Sequence, residues 1–415
     1  MDENSSRDRS PEKADGMRQN SEQEQQEKHG KQQPPQSAAP EYRGGGESEP
    51  MENRKKHGKA KKVFQIVLAV VLIFLCVVLG ALYFGLRYIN QRSNYVADKD
   101  VTINRDIVNA TDEEGEQAIE EVSLDPEEQS AIDEQIANVG TMASDEQKAA
   151  DNIYDILLIG SDRRQDNWYG NSDAMILITL NDYTKTIYMT SFMRDLYANI
   201  PNVGVRKLNA AHAIGGGPLL VTTLESNYGV AIDNYASVDF NSMSDIIDLI
   251  GGADVNITTA EAKVANSYIA EICKLRGLDP SAYQVTGRDD GVTTHLNGIQ
   301  AVGYARIRYV GNADYERTER QREVLSSLIE EMKGMSVTDI VSLVNQILPM
   351  ITHNIDSATE MDLITKIPDL MKYQLVQMRV PFDGTYTSSN EILIPDFNYT
   401  ISTLRGTLYA TEPAE

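Results

Sequence analysis

The chain has 415 residues, 41% of them hydrophobic, enough for one large or two ordinary domains with a normal globular core. Its formal net charge is −24, but Asp98 to Asp151 alone holds 17 acidic and three basic residues, so the charge says little about the rest of the chain, and no nucleic-acid partner is expected. Two cysteines, Cys76 and Cys273, with no CxxC pair, argue against a disulfide framework and a thiolate zinc site.

Residues 1–62 are rich in Gln, Glu, Ser, Lys, Gly and Pro and have no apolar period. A disordered tail is expected. Residues 63–86, VFQIVLAVVLIFLCVVLGALYFGL, contain one strongly polar residue, Gln65. As a helix they span ~36 Å, enough for a hydrocarbon core of ~30 Å. The run is too long, and too far from the N-terminus, for a cleaved signal peptide. Six basic residues precede it, Arg54, Lys55, Lys56, Lys59, Lys61 and Lys62, and acid dominates after Arg92. The positive flank stays inside, which makes this a single-pass protein of the cell membrane. Its N-terminus is cytoplasmic and the rest extracellular.

Residues 87–150 are polar and acidic and read as a stalk, with a short helix in EEQSAIDEQIANVGTM. From residue 151 the pattern changes. IYDILLIG, AMILITL and TIYMTSF are β-rich runs between turn residues. PLLVTTLESNYG reads as a helix, YASVDF as a strand, NSMSDIIDLIGG as a helix ending at glycine and ADVNI as a short strand. A long helix, TAEAKVANSYIAEICKLRG, comes next. Asn297 caps GIQAVGYAR, and EVLSSLIEEMKGM extends an arginine-rich helix. The alternation predicts an α/β fold with a mixed β-sheet between helices, over residues 151–330. Residues 331–415 add helices and the strand YQLVQMRV, packed on that domain.

Five polar clusters fall at the ends of these elements: GSDRR (Gly160 to Arg164), NSD (Asn171 to Asp173), Arg194 with Asp195, RKLNAAHA (Arg206 to Ala213) and RIRYVGNADYERTERQ (Arg306 to Gln321). Asp162 and Asp173 bracket one loop between adjacent strands, so their carboxylates can converge. That is unfavourable unless a cation joins them or one is protonated. Mg2+ is the usual answer, held by one or two carboxylates and phosphate oxygens. Arginine suits the other half of such a site, since its planar fork binds phosphate in bidentate fashion. Arg317, Arg320 and Gln321 share one helix face. A solvated charge lattice is the competing reading of that helix. There is no GxSxG elbow and no GxxxxGK[ST] loop, and His212, His295 and His353 show no ligand spacing.

In DILLIGSDRR, NSDAMILITL, SFMRDLY, KLNAAHAIGGG, HLNGIQAVGYARIR and DYERTERQREVL the chain resembles the LytR-CpsA-Psr family of bacterial envelope proteins. The resemblance implies that the substrate is a polyprenyl pyrophosphate-linked glycopolymer (teichoic acid, capsule or a related polysaccharide), transferred from its undecaprenyl pyrophosphate carrier onto a peptidoglycan hydroxyl at the cytoplasmic membrane's outer face. By motif position, Asp162 and Asp173 become the Mg2+ carboxylates, with Mn2+ an alternative. Arg194, Arg306 and Arg308, with Asp314 as base, become the catalytic set. Arg164, Lys207, Asn209, Arg317 and Gln321 become the substrate-binding set. The family usually has Arg where this chain has Asn171, and the neighbouring Arg163 is the candidate to compensate. Two other readings compete: a non-catalytic binder of envelope polyanions or scaffold, and a hydrolase of the lipid pyrophosphate. The Asp162–Asp173 pair separates catalysis from mere polyanion binding, which has no need of it.

The topology has a direct check. In cells lacking an outer membrane, external protease is expected to digest residues 90–415 and spare the N-terminal tail. An externally accessible tail would reverse the orientation.

Overall fold

The computed structural model describes residues 94–96, 102–108, 124–142, 152–163, 169–308, 310, 314–389 and 391–412. All of these lie in one unit, Leu72–Glu415. The expected tail (1–62) and membrane helix (63–86) fall outside the described residues, among which no helix is long and apolar enough to cross a membrane.

The strands are β1 (Asn94–Tyr95), β2 (Ile153–Ser161), β3 (Ser172–Asn181), β4 (Thr186–Phe192), β5 (Tyr197–Ile200), β6 (Gly204–Lys207) and β7 (Asn234–Asp239). Further along are β8 (Ala253–Val255), β9 (Thr294–Leu296), β10 (Thr352–His353), β11 (Gln374–Val380), β12 (Tyr386–Ser389) and β13 (Ile392–Pro395). Seven of them form one sheet in the order β1-β10-β7-β2-β3-β4-β11. The pairs β1–β10, β7–β2 and β4–β11 are parallel and the others antiparallel, so the sheet is mixed, as expected.

Side-chain alternation divides the sheet between two helical layers. Leu157 of β2 and Met175 and Leu177 of β3 pack with the Asn209–Tyr228 and Phe397–Leu408 helices. Leu158, Ala174 and Ile176, their neighbours in sequence, line a large cavity on the other face. A second apolar cluster closes that cavity, built on helices Phe240–Ile250, Thr259–Leu275, Gly298–Ala305 and Asp314–Lys333. Local signals start these helices. The Asp239 side chain accepts from the Ser242 N–H. Thr258 with Glu261, and Asn297 with Gln300, form reciprocal capping boxes.

Three expectations need correction. The Pro126–Met142 helix is part of the domain rather than stalk: Ile132 is 4% exposed within the first cluster, and the Gln129 amide donates to the Tyr197 hydroxyl at 2.6 Å. No boundary falls at residue 330, which lies inside the Asp314–Lys333 helix, and residues 331–415 supply two strands of the main sheet, β10 and β11. The helix expected from Pro218 is present, but a further helical segment that the sequence did not announce leads into it from Asn209 across a kink at Gly215 and Gly216, where the backbone leaves helical angles.

One buried acid at the start of β2 makes stability depend on pH. Asp155 is 2% exposed; it accepts a hydrogen bond from the Thr179 hydroxyl, and its N–H donates to Asp233 Oδ2 at 2.8 Å. Burial pushes its carboxyl up to about 8, so it is protonated at neutral pH. The native state therefore holds a proton that the unfolded chain releases near pH ~4. This contribution to stability is complete below that pH and is lost as pH rises through about 8. Denaturant melts at pH 5 and pH 8.5 should show the parent losing stability relative to Asp155→Asn. Parallel pH profiles would rule out a protonated Asp155.

Candidate active site

The cavity has a volume of about 1090 Å3. Its mouth is polar and its depth is apolar, with Ile246, Ile250, Val302, Leu328, Met332 and Ile347 on the inner wall. The mouth draws on five chain segments. Asp162 comes directly after β2 and Asp173 is the second residue of β3, so the antiparallel pairing of these strands brings both to one end of the sheet. The Asp162 N–H donates to the Asn171 carbonyl at 3.0 Å, closing the loop between them. Gly170 makes that closure feasible. Its φ is +79°, and a Cβ there would lie 2.7 Å from the Asp162 carbonyl oxygen.

Charges at the mouth compensate one another in chains. Arg194 Nη1 donates to Asp173 Oδ1 at 2.6 Å, and its Nε reaches Asp195 Oδ1 at 3.4 Å. Lys207, at the end of β6, lies 3.3 Å from the same Asp195 oxygen and 3.4 Å from Glu391 Oε2. The Gln321 amide donates to the Asp173 carbonyl oxygen at 3.3 Å, tying the arginine-rich helix to β3. Arg306, Arg308 and Arg317 also line the cavity, Arg317 only 2% exposed. Arg306 Nη2 lies 3.3 Å from Glu271 Oε2.

Eight of the eleven anticipated site residues thus line one cavity: Asp162, Asp173, Arg194, Lys207, Arg306, Arg308, Arg317 and Gln321. Asn209 does not. It is fully buried behind the mouth; its N–H donates to the Arg194 carbonyl at 3.1 Å and its carbonyl accepts from the Ser172 hydroxyl at 3.4 Å. It braces the strand ends that carry Arg194 and Asp173. Arg164 lies outside the described residues. Asp314 opens the helix that carries Arg317 and Gln321, but its side chain is not among those described. Asn171 is 5% exposed at the cavity wall, whereas Arg163 lines a smaller neighbouring cavity beside His212.

The arginine-rich helix divides its charges. Arg317 and Gln321 face the cavity. Arg320 is 3% exposed and lies against Glu261 Oε1 (2.7 Å), Glu316 Oε2 (2.8 Å) and the carbonyls of Ile307 and Val310 (both 3.3 Å). Arg322 donates to Gln377 Oε1 on β11 at 3.2 Å. Cavity-lining and internally paired cations therefore share one helix. Burial pushes the Glu261 carboxyl up, but hydrogen bonds from Thr258 and the Arg320 guanidinium outweigh it and hold it below its usual range.

His212 is held as a neutral imidazole inside the fold. Burial pushes its imidazole down to about 4. Its Nδ1 lies 2.8 Å from the Gly170 carbonyl, which requires the proton there, and leaves Nε2 to accept from the Ser237 hydroxyl at 3.1 Å. Sequence reasoning missed Glu391, on the turn between β12 and β13, and the aromatic pair Phe240 and Tyr268 beside Arg306. No motif marks them.

As a metal site, the donor set is two hard carboxylates on one loop. Among the described residues no cluster of three or more His, Cys, Asp or Glu could hold an ion. Two carboxylates suit Mg2+ whose remaining ligands are phosphate oxygens and water, so these residues fit such an ion as a substrate-completed site.

The LytR_cpsA_psr family model matches residues 112–402. Biofilm regulatory protein A of Streptococcus mutans is 30% identical over 246 residues, 56% of this chain and 56% of that protein. The polyisoprenyl-teichoic acid–peptidoglycan teichoic acid transferase TagT of Bacillus subtilis is 32% identical over 241 residues, 56% of this chain and 70% of that one. The chain thus spans 56% and 70% of these two relatives' lengths. The solved structure of TagT bound to LIIa-WTA shares the fold, with a TM-score of 0.50 at 24% identity over 64% of this chain and 95% of that one.

Arg320→Ala is expected to lower unfolding free energy by about 1.5–3 kcal/mol, because the charge-assisted hydrogen bonds to Glu261 and Glu316 are lost while Glu261 keeps only those from Thr258. Denaturant titration checks this. A loss under ~1 kcal/mol would instead mark the pair as an ordinary surface bridge.

Proposed function

Because the chain belongs to the LytR-CpsA-Psr family, we propose that it transfers a phosphate-linked glycopolymer from a polyprenyl pyrophosphate carrier to a peptidoglycan hydroxyl, outside the cell. The observation that carries this reading is one cavity that joins a mouth of five cationic side chains, balanced by internal carboxylates, to an apolar interior. An amphiphilic pyrophosphate has the same two halves. The TagT relative is named for transfer of teichoic acid to peptidoglycan. Residues 63–86 would tether the domain at the membrane surface, where such a lipid resides.

In this reading the acyl chain enters the interior beside Ile246, Val302 and Leu328. The pyrophosphate displaces the internal carboxylates from Arg194 and Lys207 and takes charge-assisted hydrogen bonds from them and from Arg306, Arg308 and Arg317. Arg164, by motif position, joins them. Gln321 and Asn209 hold the strand ends in register. The acceptor hydroxyl attacks the phosphorus nearest the sugar and loses its proton to a base, Asp314 by motif position. The bridging P–O bond breaks and polyprenyl phosphate leaves. The arginines stabilise the negative charge that gathers on the leaving oxygen. Asp162 and Asp173 would hold Mg2+, or Mn2+, which when bound neutralises phosphate charge.

Full-length protein incubated with a defined lipid-linked sugar pyrophosphate, peptidoglycan oligomers and Mg2+ should yield a sugar phosphate on the oligomer, detected by mass spectrometry. Asp162→Ala or Asp173→Ala should abolish the product while leaving the thermal melt nearly unchanged. Release of sugar phosphate into water would favour a hydrolase. Binding without turnover would favour a scaffold.

A further inference from the structure

Arg306 is held by two aromatic rings as well as by an acid. Its guanidinium carbon lies 4.5 Å from the Phe240 ring centroid and 5.0 Å from that of Tyr268. Both distances are within cation–π range. Glu271, three residues beyond Tyr268 on the same helix face, pairs with Nη2. Arg306 itself is the C-cap of the Gly298–Ala305 helix, where aligned carbonyls favour a cation. Gly303 brings that helix close to its neighbour. A Cβ there would lie 2.6 Å from Ile269 Cγ1, one residue from Tyr268. Phe240, Tyr268 and Arg306 all line the cavity, among both its polar and its apolar residues.

Resting on the proposed pyrophosphate site, we propose that Phe240 and Tyr268 are positioning residues that clamp Arg306 between two aromatic rings. With two rings within cation–π distance and one nitrogen paired to Glu271, the guanidinium is held in a fixed direction toward phosphate. The mouth gains a donor that is ordered before substrate arrives. Little rotamer entropy is then lost on binding. The rings also divide the head group from the acyl chain, because a charged fork on one side and apolar carbon on the other are anchored by the same two side chains.

The probe is inorganic pyrophosphate with Mg2+, titrated calorimetrically into the full-length chain, with thermal melts to verify folding. Tyr268→Phe and Phe240→Tyr keep a ring and should bind within about twofold of the parent. Tyr268→Leu and Phe240→Leu keep bulk but lose a ring, and should weaken binding about 3- to 10-fold, the size of one partly desolvated cation–π contact. Replacing Phe240 by 3,4,5-trifluorophenylalanine drains the ring's negative face without altering the packing and should weaken binding in the same direction. In an Arg306→Ala background Tyr268→Leu should have no further effect, whereas a merely structural role would persist there. Folded leucine variants that bind like the parent, or a fluorinated ring without effect, overturn the clamp. Loss on Arg306→Lys together with parent-like leucine variants overturns the clamp and leaves the site reading standing. Parent-like binding by Arg306→Lys overturns the site reading itself.

Discussion

Like charges cannot converge on one cavity without compensation, and that constraint dictates where the acids stand around the mouth. Arg194, Lys207, Arg306, Arg308 and Arg317 all line the same space. At an effective dielectric of ~20, two unit charges 4 Å apart repel by ~4 kcal/mol. The fold therefore supplies an anion for each described pairing: Asp173 and Asp195 for Arg194, Asp195 and Glu391 for Lys207, Glu271 for Arg306. These partners come from β3, the segment after β4, the turn between β12 and β13, and the Thr259–Leu275 helix. Charge balance therefore draws on elements far apart in sequence, and the mouth forms only when they have all been brought together. On the proposed reading Asp173, Asp195 and Glu391 hold positions that phosphate oxygens would take over, while Glu271 keeps Arg306 in place.

Much of this was legible in the sequence because the polar clusters sit where strand patterns end. A run such as DILLIG with Ser-Asp after it tells that a carboxylate emerges at a strand terminus, and antiparallel pairing of β2 with β3 then brings Asp173 beside it. The capping residues were equally visible, since Asn297 with Gln300 acts within four residues. What could not be read depends on tertiary distance. Arg317 and Arg320 are three residues apart on one helix with nearly identical neighbours. Only the position of Glu261, in another helix, makes Arg320 internal. The aromatic pair around Arg306 joins two helices whose sequences carry no trace of the encounter.

The edges of the sheet were illegible for a different reason. β10 has two residues, too few for any period, and β11 reads as a strand without revealing which neighbour it joins. The Pro126–Met142 helix is rich in acidic and polar residues, so Ile132, the one deeply buried residue among those described, leaves almost no amphipathic signal. Composition alone made it resemble a spacer.

The closing strands impose an order on synthesis. β11 pairs with β4 across roughly 190 residues of chain, and the Leu393 N–H donates to the Asp195 carbonyl at 2.9 Å, joining β13 to the segment that bears Arg194. A nascent chain emerges N-terminus first, so residues 153–192 are available long before their last partners exist. Until residue 380 has appeared, β4 remains an open edge of an unfinished sheet, and exposed edges of this kind recruit other strands. The domain thus has a long vulnerable interval between first collapse and completion. Shortening the chain at its C-terminus would leave every cationic residue of the mouth in the sequence, yet remove the strand that seals the sheet around them.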